Sequence, residues 1–126
     1  VAKAFEPGDH GSTFGGNPLA SAAAEAAVRE IAYGGWVENA DSVGEYFRKR
    51  LAELPSVKEI RGAGLMIAVE FDGINAKNTA SAAMNKCLIL NAINDNTIRF
   101  VPPLILTKSQ VDEAMGILMD AVTEGS

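Results

Sequence analysis

The sequence predicts an α+β fold: N-terminal helices followed by a small, mostly antiparallel sheet covered by helices. Three observations predict it. Residues 18 to 33 are dominated by alanine, with no Gly or Pro in the interior, which favours a helix. Residues 65 to 71 change period. Leu65, Ile67, Val69 and Phe71 alternate with Met66, Ala68 and Glu70, as on a strand with one buried face. Val111, Ala114, Met115, Leu118 and Val122 then return to helical spacing.

The elements follow in order. Residues 5 to 17, FEPGDHGSTFGGN, are rich in Gly, Pro and small polar residues and predict an irregular loop. Pro18 stands where a first helical residue belongs, with Asn17 before it as N-cap. Small side chains nearly all round the first helix predict close packing against other elements. Gly34-Gly35 ends it. A second helix runs from Trp36 to about Leu54, with Val43, Phe47, Leu51 and Leu54 on its inner face, and Pro55 closes it. Strands are predicted at Val57–Arg61 and Leu65–Phe71, broken by Gly62-Ala63-Gly64. A short helix follows at residues 76 to 86. Strands are then predicted at Leu88–Ile93 and Thr97–Val101, with Asn94-Asp95-Asn96 as the turn and Pro102-Pro103 as the stop. Thr107 or Ser109 caps the last helix.

Composition narrows the function classes. The chain has 126 residues, 48% of them hydrophobic and 21% charged, a globular balance. Sixteen acidic against 11 basic residues give a net charge of -5. With no cluster of Lys and Arg able to track a phosphate backbone, that argues against a nucleic-acid partner. No apolar run approaches the roughly 18–20 residues that cross a bilayer, so no membrane partner is expected. The single cysteine, Cys87, excludes an internal disulfide and fits a cytoplasmic location. No metal site is assigned. The first residue is Val1, and the text opens mid-phrase, so an excised fragment or a processed chain is expected.

Two segments are able to carry chemistry. Gly11-Ser12-Thr13-Phe14-Gly15-Gly16-Asn17-Pro18 places two hydroxyls among glycines ahead of a helix. Free backbone N–H groups, hydroxyl donors and a helix dipole together bind anions such as phosphate. The plainer reading is a loop and cap. In Asn96–Leu104, Ile98 and Phe100 face one side of a strand while Arg99 and Val101 face the other. An arginine on a strand stopped by two prolines is held stiffly, and its planar fork suits a carboxylate. The plainer reading is a reach to a surface acid.

Together these segments resemble class III pyridoxal-phosphate-dependent aminotransferases. Residues 7 to 20, PGDHGSTFGGNPLA, look like the family signature that follows its lysine-bearing segment. Residues 61 to 71, RGAGLMIAVEF, are similar to its "RGxGLM" strand pair, and residues 88 to 104, LILNAINDNTIRFVPPL, to its "N…IRxxPPL" segment. The three occur in family order across nearly the whole chain. Within the family the wording is closest to acetylornithine and ornithine aminotransferases.

The resemblance implies the C-terminal part of a fold type I transferase. Residues 1–34 are the cofactor-phosphate loop and the alanine-rich helix leading out of the large domain, and residues 35–126 the C-terminal small domain. It implies pyridoxal 5'-phosphate as cofactor and a homodimer with shared active sites. It implies N-acetylornithine, glutamate and 2-oxoglutarate as the substrate class, within arginine biosynthesis. Thr13 then hydrogen-bonds the cofactor phosphate of the neighbouring subunit, Ser12 lies beside phosphate and substrate, and Arg99 binds the substrate α-carboxylate. The Schiff-base lysine of the family precedes the PGDHGSTFGGNP loop. Lys3 stands too close to that loop to be assigned, so no catalytic residue is named and the chain alone is expected to be inactive.

Other residues keep ordinary readings. His10 is a local hydrogen-bonding residue, Cys87 a small buried one, and Trp36 packs the start of the second helix. Asp41, Glu45 and Arg48 make a solvated face, and Glu70 is left between Arg61 and Arg99 as partners. Ornithine, succinylornithine, 4-aminobutyrate and diaminopimelate-pathway transaminases share the motifs. From another class stands a non-catalytic small-molecule-binding or dimerisation module.

Overall fold

The computed structural model describes residues 11–124. Lys3, His10 and the first part of the loop lie outside the described residues. The chain divides into two compact units, Val1–Gly34 and Gly35–Ser126.

In the first unit a loop leads into α1 (Pro18–Tyr33). The helix starts here because Asn17 settles two polar groups at once. Its Oδ1 accepts from the Ala20 N–H at 2.9 Å, and its Nδ2 donates to the Phe14 carbonyl at 2.6 Å. Pro18, which has no N–H to satisfy, takes the first turn. At the far end the Gly34 N–H donates to the Glu30 carbonyl at 2.8 Å. Within its own unit α1 has no buried residue, so the neighbours its small side chains predict are not supplied there.

The second unit holds α2 (Trp36–Leu51), β1 (Val57–Ala63), β2 (Met66–Phe71), α3 (Ala76–Asn85), β3 (Asn91–Ala92), β4 (Thr97–Phe100) and α4 (Lys108–Glu124). The strands form one antiparallel sheet in the order β1-β2-β4-β3. Ile67, Val69 and Phe71 of β2 and Ile98 and Phe100 of β4 are buried. They share one core with Val43, Phe47 and Leu51 of α2 and Val111, Met115, Leu118 and Val122 of α4. The Phe47 and Phe100 rings meet edge to face at 5.2 Å, a favourable aromatic geometry. Met66 on the opposite face of β2 is exposed, as the alternation requires.

Boundaries differ from expectation where a backbone constraint outweighs the side-chain pattern. The second helix stops at Leu51 rather than Leu54. Residues 52–56 turn the chain into β1, with Ser56 at φ 57° and its carbonyl accepting from the Asp72 N–H at 2.8 Å. The first strand runs on through Gly62 to Ala63. Gly62 lies at φ 140°, and a Cβ there would come within 2.1 Å of the Met66 carbonyl oxygen, so the glycine belongs to the hairpin and does not break it. The strand expected at Leu88–Ile93 shrinks to Asn91–Ala92. The Leu88 N–H is still donating to the Ala83 carbonyl of α3, so it cannot join the ladder. Cys87 precedes it at φ 64° and is exposed, not buried, because the chain turns outward there. The fourth strand ends at Phe100, one residue short of Val101, ahead of two prolines. Thr107 is the cap of α4: its Oγ1 accepts from the Gln110 N–H, and Gln110 Oε1 accepts from the Thr107 N–H, a reciprocal capping box.

One close approach fixes α2 against the β1–β2 turn. A Cβ on Gly44 would lie 2.1 Å from the Gly64 carbonyl oxygen, and Arg48 donates to that same oxygen at 3.3 Å. Arg48 is thus tied to the turn, unlike the solvated residue the sequence suggests. We expect Gly44→Ala to destabilise the second unit by at least about 1–3 kcal/mol, since backbone must move to admit the methyl. Gly116→Ala is the control. Nothing lies within 4 Å of its Cβ position, so replacing an interior helical glycine should be neutral or stabilise by about 0.5–1 kcal/mol. Urea unfolding of both variants checks the contrast.

Candidate functional site

The glycine loop offers oxyanion donors without much help from the helix behind it. Ser12 Oγ accepts from the Gly15 N–H at 2.8 Å, which folds the loop back on itself. Gly15 has no room for a side chain, because its Cβ would come within 2.8 Å of Ser12 Cβ, and Gly16 lies at φ 72°. Thr13 is exposed, and its hydroxyl has no hydrogen-bond partner among the described residues. At the start of α1, Pro18 carries no N–H and the Ala20 N–H is taken by Asn17. The donors left available include the Thr13 hydroxyl, the Leu19 N–H and loop amides other than that of Gly15, a set that fits a phosphate oxygen.

Arg99 lies in the second unit, and its placement is set by the strands on either side. On β4 it stands opposite Ala68 of β2 and opposite Asn91 of β3. Arg61 of β1 faces Ala68 from the other side, so Arg61, Ala68, Arg99 and Asn91 cross one face of the sheet in a row. Arg99 is exposed while Ile98 and Phe100 are buried, the division the alternation predicts.

The acid in reach of that row is already engaged. Glu70 Oε1 accepts from Lys58 Nζ at 2.6 Å, and Oε2 lies 3.2 Å from Arg61. Lys58 first, then Arg61, hold the Glu70 carboxyl below the usual carboxylate range. Arg61 also binds Glu59 at 2.8 Å, which offsets two carboxylates placed opposite each other on β1 and β2. The choice left open by the sequence thus resolves: Glu70 pairs with Arg61 and Lys58. Arg99 has no hydrogen bond or ion pair among the described residues.

Beside Arg99 is a cleft of about 310 Å³ walled by β4, α2 and α4. Phe47, Leu88, Phe100, Val111 and Leu118 make it apolar; Asn91, Arg99 and Gln110 are the polar residues that line it. Val101, Pro102 and Leu106, from the segment after β4, form a further wall. A low-polarity wall strengthens the attraction of a cation for a carboxylate relative to open water.

Sequence reasoning missed the polar ties that hold these walls. Asp112 of α4 accepts from the Tyr46 hydroxyl of α2 at 2.6 Å and lies 3.3 Å from Arg50 Nε. Asn39 of α2 donates to the carbonyls of Leu104 and Leu106 at 2.7 and 3.1 Å. These partners are more than sixty residues apart, so no local pattern announces them.

The geometry separates a binding role from a structural role for Arg99. Removing a side chain that holds no partner should leave the stability of this chain within about 0.5 kcal/mol for Arg99→Ala. Ile98→Ala, one residue away in the core, should cost about 2–5 kcal/mol. Denaturant melts of the two variants decide it, and a large loss for Arg99→Ala contradicts an unengaged guanidinium.

Comparison with known proteins places the chain in a family. The family model described as aminotransferase class-III matches residues 1–122. The chain is 48% identical over 124 residues to an acetylornithine aminotransferase of Caldanaerobacter subterraneus subsp. tengcongensis, covering 95% of this chain and 32% of that protein. It is 45% identical to an ornithine aminotransferase of Bordetella pertussis, covering 87% of this chain and 28% of that protein. Among solved structures, an ornithine δ-aminotransferase of Plasmodium falciparum superposes with a TM-score of 0.82 at 36% identity, covering 99% of this chain and 33% of that one. The chain thus spans about a third of the length of the relatives it matches. On the match over nearly its whole length, the chain belongs to the class III aminotransferase family.

Proposed function

We propose that this chain is the C-terminal portion of an acetylornithine aminotransferase, a pyridoxal-phosphate enzyme that moves an amino group between N-acetylornithine and 2-oxoglutarate in arginine biosynthesis. The observation that carries the reading is Arg99, whose backbone is fixed between two paired strands and whose guanidinium has no partner among the described residues, at the edge of an apolar cleft. Relatives named acetylornithine aminotransferase support the choice of donor at 41–48% identity.

The cofactor, when bound, supplies the electron sink and carries the amino group between donor and acceptor. This chain supplies binding and orientation. Arg99 grips a substrate carboxylate with its two-pronged fork. Thr13 donates its hydroxyl to the cofactor phosphate, and Ser12, which shapes the loop, lies beside phosphate and substrate. The lysine that holds the cofactor comes from a part of the enzyme outside this chain, so the chain by itself does not transaminate. The alanine-rich α1 packs against that same remainder. Residues 1–34 then belong with the large domain and residues 35–126 form the small domain. The assembly is a cytoplasmic homodimer in which Thr13 completes the neighbouring subunit's site. Ornithine itself is the second reading for the donor, favoured by the ornithine aminotransferases among the relatives; relative kcat/KM for ornithine and N-acetylornithine separates the two.

In the full-length enzyme, Arg99→Lys should raise KM for glutamate and 2-oxoglutarate while cofactor binding and melting temperature stay as in wild type, because a point charge keeps attraction but loses the fork. Reduced stability with unchanged kinetics per folded molecule contradicts the assignment. Thr13→Ala should weaken cofactor retention about ten- to a hundredfold, the effect of one lost hydrogen bond to a charged oxygen. In hybrids with Thr13→Ala on one chain and a lysine knockout on the other, the chain that keeps its lysine depends on the mutated partner's threonine. Its site should therefore be starved of cofactor, and normal affinity there refutes the shared site.

A further inference from the structure

The segment after Arg99 has almost no regular structure, yet it walls the cleft that Arg99 lines. Val101, Pro102 and Leu106 all face that cleft. Leu106 turns back to donate its N–H to the Pro103 carbonyl at 3.0 Å, and α4 begins only at Lys108. Two prolines stiffen φ here but remove backbone donors. The segment therefore needs hydrogen-bonding partners from elsewhere to fix its position.

Asn39 supplies one from α2. Its Nδ2 donates to the Leu104 carbonyl at 2.7 Å and to the Leu106 carbonyl at 3.1 Å. Both amide protons are spent on two carbonyl oxygens that only accept, and this fixes the orientation of the side-chain amide. Asn39 is itself partly buried in the first turn of α2, where its N–H donates to the Gly35 carbonyl at 3.0 Å. Two groups on a half-buried, helix-anchored side chain thus pin both ends of a three-residue stretch, Leu104 to Leu106.

We propose that Asn39 is a positioning residue for the carboxylate site, an inference that rests on the reading of Arg99 as the carboxylate anchor. It touches no substrate atom. By holding the Leu104–Leu106 carbonyls it keeps Val101, Pro102 and Leu106 against the cleft and so limits water and side-chain freedom around the Arg99 guanidinium. Release of the segment loosens one wall and weakens a bound carboxylate. The strand pairing of Arg99 and the cofactor loop are unchanged, so turnover of bound substrate is unaffected. Aspartate is the sharpest probe. It is isosteric with asparagine but turns two donors into acceptors facing two carbonyl oxygens.

The test uses the full-length holoenzyme with Asn39→Ala, Asn39→Asp, Asn39→Gln and Arg99→Lys. Glutarate, a dicarboxylate that cannot transaminate, is titrated by calorimetry, and 2-oxoglutarate kinetics, cofactor content and melting temperature are measured on the same samples. We expect Asn39→Ala to raise both the glutarate Kd and the 2-oxoglutarate KM about three- to tenfold, the size of one or two neutral hydrogen bonds. The value of kcat should stay within about twofold, since no interaction specific to the transition state is removed. Asn39→Asp should exceed Asn39→Ala. Asn39→Gln, which keeps the donors on a longer stem, should fall between wild type and Asn39→Ala, and it gives the answer if the others do not fold. If Arg99→Lys weakens glutarate but the Asn39 variants only lower the melting temperature, Asn39 is scaffolding and the inference is overturned. If Arg99→Lys leaves glutarate binding untouched, the reading of Arg99 fails and the role of Asn39 falls with it.

Discussion

The register of β2 against β4 is the constraint on which the second unit depends. Val69 pairs with Ile98, and Ala68 with Arg99. Val69 and Ile98 are fully buried, so a slip of β4 by one residue would turn Ile98 and Phe100 outward and drive the guanidinium into the core. The energy that fixes Arg99 is therefore not its own. It comes from the apolar side chains on the other face of the same strands, packed against α2 and α4. Among the described residues, nothing takes up the hydrogen-bonding capacity of a charged group held this way.

That freedom also rests on what surrounds the row. Ala68, the residue between Arg61 and Arg99, is small and uncharged. Glu70, the nearest acid along β2, is taken by Lys58 and Arg61. The basic residues of β1 thus keep the β2 acid occupied and leave Arg99 available. Tyr46, Arg50 and Asp112 tie α2 to α4, and Asn39 ties α2 to the segment after β4, so three polar links frame an otherwise apolar cleft. The glycine loop solves a different problem. Its fold is local, set by Ser12 on Gly15 and by Asn17 on Phe14 and Ala20, and it leaves the Thr13 hydroxyl exposed.

Much of this was legible in the sequence, for identifiable reasons. The α1 boundaries follow from Asn17, Pro18 and Gly34, all of which act within a few residues of themselves. The two faces of β2 and the side of the sheet that bears Arg99 follow from period-two alternation. Misread boundaries came from backbone geometry that side-chain patterns do not encode. Gly62 looked like a break but is a strand glycine forced by the close approach of Met66. Leu88 looked like a strand residue but is held by Ala83. Cys87 looked like a small buried residue because no histidine or second cysteine lies near it in sequence, yet it is exposed, at a positive φ where the chain leaves α3. The ties through Asn39 and Asp112 could not be read, because each joins residues far apart in sequence and neither residue type is unusual at its position.

The central claim is that Arg99 is kept free by the fold in order to hold a carboxylate. The most direct measurement is a crystal structure of the full-length enzyme with a bound dicarboxylate such as glutarate. The account predicts two parallel N–H···O contacts between the Arg99 guanidinium and one carboxylate, at roughly 2.7–2.9 Å. A guanidinium paired instead with an acidic side chain of the enzyme, with the dicarboxylate bound elsewhere, would contradict it.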